Sequence, residues 1–168
     1  PRTNYVPACS RAEYRRRTPT VPWKNEDGEH EPVTEYYRLV FRKMIGSSSM
    51  RTLIPSLMLP KSAHIDGGFS LAFESNDDLM RTAALCMSVP YDFLIKTTGK
   101  SNFRDELARQ LPLPESIPHM VAMRLRTLLL NSLTTHYADL WEDSWQDAFT
   151  EDTWTKNDPR LSADTAFA

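Results

Sequence analysis

Residues 36–45 set Tyr37, Leu39, Phe41 and Ile45 at odd positions and Arg38 and Arg42 at even ones. A period of two places the two sets on opposite faces of a β-strand. Such a strand is stable only if a core forms against Leu39 and Phe41, and that requirement constrains how the remaining chain packs. Gly46-Ser47-Ser48-Ser49 supplies turn chemistry, and residues 50–59 read as a second strand, so 36–60 predicts a hairpin-like unit. Pro55 has no N–H to give a ladder; it confines the second strand to a sheet edge or breaks it in two. Gly67-Gly68 lead into a third, short strand over 69–73.

The same stretch carries charge of one sign. No Asp or Glu occurs from position 36 to 65, whereas Arg38, Arg42, Lys43, Arg51 and Lys61 do. Apolar residues inward and uncompensated cations outward make a surface for a polyanion; the competing reading is an ordinary solvated basic face. Arg38-Leu39-Val40-Phe41-Arg42, followed by Ser48-Ser49-Met50-Arg51-Thr52-Leu53-Ile54-Pro55 and Leu59-Pro60, resembles part of a known family. It is similar to the target-recognition region of the large adenine-specific DNA methyltransferases of the type IIG kind, which serve restriction–modification and phage-defence systems. The shared pattern is an Arg-rich strand, a short Ser/Thr turn, an Arg-Thr-Leu-Ile core and a Pro-containing exit. A second segment, 102–114, looks like the part of that region that closes with Leu-Pro-x-Pro, here Leu111-Pro112-Leu113-Pro114. The two come in the family's order and together cover roughly residues 33–140.

The resemblance implies a domain that holds duplex DNA while a separate methyltransferase domain acts on an extruded adenine. S-adenosylmethionine would belong to that other domain, with no cofactor in this chain, and the partners would be duplex DNA and the remainder of the parent methyltransferase. Arg38, Arg42, Lys43, Lys61 and Lys100 would divide between phosphate positioning and base readout, Arg being the residue whose planar fork matches guanine. Arg51 has two readings: a site residue, or a structural partner to a carboxylate such as Asp66. Ser48, His64 and Asn102 complete the candidate DNA-binding set.

No catalytic constellation is present in the sequence. Adenine methylation needs an Asn/Asp-Pro-Pro-aromatic motif to grip the flipped base, and none occurs. Gly99-Lys100-Ser101 invites a phosphate-loop reading, but the position five before Gly99 is Leu94, so the full motif fails. What remains is a turn that either binds one phosphate or simply connects two elements. His30, His64, His119 and His136 have no partner at metal-ligand spacing, and Ser47-Ser48-Ser49 has no activating base beside it. His64 follows the basic strand pair, where it either reaches a base edge or is an ordinary exposed His.

At 168 residues with 40% apolar content the chain is long enough for one hydrophobic core. Its net charge of −2 argues against coating nucleic acid by charge alone. The distribution is polarised: Arg11, Arg15, Arg16 and Arg17 stand early, while Asp139, Glu142, Asp143, Asp147, Glu151 and Asp152 stand late. The early arginines read as a solvated linker or as phosphate contacts. Cys9 and Cys86 form neither a disulfide framework nor a zinc motif, and no signal peptide or membrane-spanning run appears, so a reducing cytoplasm is expected. Opening at Pro1 without Met, the chain reads as a piece of a longer protein.

Taken together, the sequence predicts an α/β fold: a small twisted mixed sheet covered by helices, with a helical C-terminal extension. Residues 1–35 are expected as an extended lead-in anchored by Trp23, 36–115 as the recognition core and 116–168 as the extension. Ser75-Asn76-Asp77-Asp78 signals a helix start, Pro90 restarts a helix and 103–111 form a short one. A long helical pattern from 118 to 147 is expected to break near 140–144, where acids oppose the helix dipole. The alternative function is a protein–protein module in which the acidic, Trp-rich C-terminal third docks a partner.

Overall fold

A computed structural model of the chain describes residues 6–46, 48–154, 156 and 158–160. Strand β1 (Arg38–Arg42) lies at the centre of a three-stranded sheet, between β2 (Pro55–Met58) and β3 (Gly68–Ala72). Both pairings are antiparallel, where a mixed sheet was expected. Leu39 stands opposite Leu57 and Leu71, and Phe41 opposite Pro55 and Phe69, so these residues share one face. Leu39 and Phe41 are fully buried, as the alternation requires. Pro55 is the first residue of an edge strand, where its missing N–H costs no ladder bond.

Five helices cover that face: α2 (Asn76–Cys86), α3 (Val89–Thr97), α4 (Asp105–Ala108), α5 (Met120–Asn131) and α6 (Ala138–Ser144). Ser75 caps α2 by accepting the Asp78 N–H at 3.1 Å, and Pro90 sits in the first turn of α3, where a proline is tolerated. Leu125 and Leu128 of α5, Leu140 of α6 and Phe149 share one core with Leu39, Phe41 and Leu79. The architecture is thus a small α/β fold in which the C-terminal helices pack into the same core as the sheet.

The long C-terminal pattern breaks earlier than its charges implied. Helix α5 ends at Ser132 (φ −99°, ψ 62°), and α6 runs through 138–144, the stretch expected to break. Two side chains make the earlier break favourable. Asn131 accepts the Leu57 N–H at 3.3 Å, tying the helix end to β2, and the Trp141 indole donates to the freed Ser132 carbonyl at 3.1 Å.

The connection from β1 to β2 is long, and a buried carboxylate holds it. Asp92 of α3 accepts the Thr52 N–H at 2.8 Å and the Leu53 N–H at 2.7 Å through one oxygen. Arg51 lies 3.5 Å from that oxygen and donates to the Met87 carbonyl at 3.1 Å. Arg51 is therefore the structural partner of a carboxylate, but of Asp92 rather than Asp66.

Residues 11–17 correct the expected extended lead-in: they form helix α1 (Arg11–Arg17). Pro7, Pro19, Pro22 and Pro32 flank this helix rather than interrupt it. The Ser10 hydroxyl accepts the Glu13 N–H at 3.2 Å, and Glu13 in turn pairs with Arg16 at 2.7 Å and Arg17 at 2.5 Å.

Two substitutions test this frame. Phe41→Ala is expected to cost about 3–5 kcal/mol, the range for emptying an aromatic core position. Asp92→Ala, which strands two buried N–H groups, is expected to cost about 3 kcal/mol or more. Urea melts of both variants check this; a loss below about 1 kcal/mol at either site contradicts the packing described.

Candidate nucleic-acid interface

The face of the sheet turned away from the core carries Arg38, Val40 and Arg42 of β1. Ser56 and Met58 of β2 and Gly68, Ser70 and Ala72 of β3 stand opposite them. Arg38 was expected to point into solvent; it is 2% exposed instead. Tyr14, Arg17 and Thr18 close over this end of the sheet together with Val33 and Thr34. The guanidinium donates from Nη2 to the Ser62 carbonyl, while the buried Nε has no partner. Burial pushes its pKa below the ordinary arginine value, with Tyr14 opposing that shift. Arg38 so placed does not present its fork to a base edge. Arg42, two strand positions further along the same face, is exposed.

The end of β1 gathers a second group of the candidates. The Phe103 N–H bonds the Lys43 carbonyl at 2.7 Å, the Ile45 N–H bonds the Ser101 carbonyl at 3.0 Å, and Met44 bridges Asn102. The Gly99-Lys100-Ser101-Asn102 turn is thus stitched beside the strand exit. Its charges are largely occupied. Lys43 pairs with Asp66, and Lys100 lies 3.5 Å from Glu106. The hydrogen bond and charge of Lys43 hold the Asp66 carboxyl below its ordinary range, with Arg104 adding to the effect. Asn102 donates to the Ser101 hydroxyl at 3.2 Å, and Ser48 is exposed. The candidates do not form one concave surface: Arg38 is buried, Arg51 belongs to Asp92, and Lys43 with Lys100 is paired at the strand exit.

A more basic surface forms around α1. Two adjoining hollows lie beside this helix: one of about 340 Å³ against residues 34–35 and 61–63, and one of about 650 Å³ that reaches the outer sheet face. Arg11, Arg15 and Lys61 line the first, with Glu35 as its acid. Arg17, Arg38 and His64 line the second. Lys61 stands at φ 60° and its N–H bonds the Thr34 carbonyl at 2.5 Å, which fixes the loop against the residues after α1. The His64 ring nitrogens lie 2.9 Å from the Ser70 hydroxyl and 3.0 Å from the Ile65 carbonyl. A side chain at Gly68 would meet that ring at 3.1 Å, so glycine permits the close approach of the loop to β3. Lys61 and His64 belong to the expected DNA-binding set, whereas the early arginines carried both a linker and a phosphate-contact reading. Ser10-Arg11-Ala12-Glu13 is a capping-box pattern, and it was the signal that could have found α1.

Among the described residues no cluster of three or more His, Cys, Asp or Glu is placed to hold a metal. Burial pushes the Cys86 thiol up to about 12, which makes it a packing residue and a poor nucleophile. Leu140 and Phe149 are buried and Trp141 packs against the core of this chain, while Trp145 is 44% exposed. Among the described residues no helix is long and apolar enough to cross a membrane. No family model, curated protein or solved structure matches this chain.

The strand-exit pair makes a titration prediction. A carboxyl whose folded pKa is depressed contributes stability above its unfolded pKa and loses it as pH falls through the folded value. The Asp66 carboxyl, followed by NMR, is expected to titrate below the ordinary 3.8, and Lys43→Ala should return it to that range. An unchanged Asp66 titration in the variant would show that the pair does not form in solution.

Proposed function

We propose that this chain is a non-catalytic DNA-binding module that grips duplex DNA by its phosphate backbone along the outer face of the sheet. The observation that carries this reading is the gathering of cations about α1 and the outer sheet face. Arg11, Arg15, Arg17, Lys61 and exposed Arg42 belong to the α1 side. Asp139, Glu142 and Asp143 belong to α6 on the helical side. The cations about α1 outnumber the acids Glu13 and Glu35, and such an excess attracts a polyanion and orients it even when net charge is slightly negative. Arg15 and Lys61 act as phosphate contacts, and Arg42 is the guanidinium on β1 with access to a base edge.

The resemblance of 38–60 and 102–114 to target-recognition regions extends this to a role. The module would hold DNA for a separate S-adenosylmethionine-dependent adenine methyltransferase domain, in a reducing cytoplasm where Cys9 and Cys86 remain thiols. That extension rests on the two sequence segments. The rival reading, a partner-docking module built on the C-terminal aromatics, is weakened because Leu140, Trp141 and Phe149 pack against this chain's own core.

Binding of a fluorescent duplex to the chain, measured across a salt series, tests the reading. About four phosphate contacts give a log–log slope of about −3 to −4. Arg15→Ala and Lys61→Ala should each flatten that slope by about 1, whereas Lys100→Ala, already paired with Glu106, should change it little. Absence of binding at low ionic strength, or a salt-independent affinity, would overturn the proposal.

A further inference from the structure

The larger hollow beneath α1 holds a feature that backbone gripping does not explain. Arg38 is 2% exposed, its Nε has no hydrogen-bond partner, and among the described residues no carboxylate pairs with it. An unpaired buried guanidinium is costly, and folds usually supply such a group with an acid or replace it by an apolar side chain. Here a hollow of about 650 Å³ lies against it, a size suited to a small organic molecule. Arg17 and His64 line the same space, and Pro7, Tyr14 and Val33 supply apolar wall. Arg11, Arg15 and Lys61 line the adjoining hollow against one acid, Glu35, and Glu13 pairs with the exposed Arg17, which leaves an excess of cations that favours an anion.

We propose that this hollow is a binding site for a small phosphomonoester, its phosphate seated on Arg38 and Arg17 and its apolar or aromatic body lying against Tyr14 and Val33. A phosphate accepts from a guanidinium through several oxygens at once, and its second charge matches the second cation. A monocarboxylate offers only one charge. A DNA strand carries the same phosphate chemistry, but a duplex backbone lies on a surface, whereas Arg38 lies beneath one. The proposal stands independently of the DNA-binding reading.

Thermal melts of the full chain with orthophosphate, phenyl phosphate, phenol and sodium chloride at matched ionic strength test it. Phenyl phosphate at tenfold excess over its Kd should raise Tm by about 3–6 °C, orthophosphate should act more weakly, and phenol and chloride should not act. Arg38→Met should fold with equal or greater stability and lose the response. Arg17→Ala, a change at an exposed position, should weaken phenyl phosphate about fivefold to tenfold, roughly 1–1.4 kcal/mol. If Arg38→Met does not fold, Arg17→Ala decides alone. No stabilisation of the parent chain by phenyl phosphate, or an undiminished response in Arg17→Ala, would overturn the proposal. An Arg38→Met protein that loses duplex affinity while the parent chain ignores phenyl phosphate would also overturn it, assigning Arg38 to the DNA backbone.

Discussion

Burial of Leu39 and Phe41 on β1 is the constraint on which the other features depend. Phe41 packs on Phe103 with ring centroids 4.5 Å apart, and Phe69 meets the same ring edge-on at 5.7 Å. One contact set therefore joins the central strand, an edge strand and the segment leading into α4. Because side chains alternate along a strand, seating Leu39 and Phe41 in the core forces Arg38, Val40 and Arg42 to the other face. A one-residue slip would turn three outer residues, two of them cations, toward the core and turn the core pair away from it. The hydrophobic register thus decides where the charges go, and the charges do not choose for themselves.

Features governed by short-range rules were legible in the sequence. The alternation of 36–45 predicted that Leu39 and Phe41 face the core, Pro55 marked an edge strand, Ser75 marked the start of α2 and Pro90 that of α3. What escaped was set by contacts between distant positions. The end of α5 is fixed by Asn131 reaching β2 and by Trp141 reaching back to Ser132, neither of which a local pattern contains. Arg51 lies near an acid 41 residues away, and Lys43 pairs with one 23 residues away. Two cations of a run without Asp or Glu, Lys43 and Arg51, thus meet acids that come from elsewhere in the chain.

Helix α1 shows a different failure. Its prolines lie outside the helix, and its Ser10–Glu13 capping pair was present in the sequence, but arginine-rich composition suggested a solvated segment. A seven-residue helix in isolation is too short to persist in water, since nucleation is unfavourable and few bonds repay it. No α1 residue is buried; the Ser10 cap and the Glu13 pairs support the helix, and a hollow separates it from the Arg38 end of the sheet. Tyr14 and Arg17 of the helix line that hollow together with Arg38, so the site and the segment beside it are interdependent.

That interdependence bears on what Arg38 is for. A methionine at this position would fill similar volume, keep the strand register and carry no charge into a place where charge is penalised. The bond to the Ser62 carbonyl satisfies one side of the guanidinium, and a carbonyl neutralises no charge. Tyr14 raises the arginine pKa against the effect of burial, yet a phenol at ordinary pH is also neutral. The fold as it stands thus holds a cation beneath a short helix whose own arginines add to the same sign of potential. Glu13 offsets Arg16 and Arg17, and a bound anion would offset the repulsion that remains between Arg38 and the other arginines of α1. On these terms α1 is the element whose hold on the sheet depends most on what occupies the hollow beneath it.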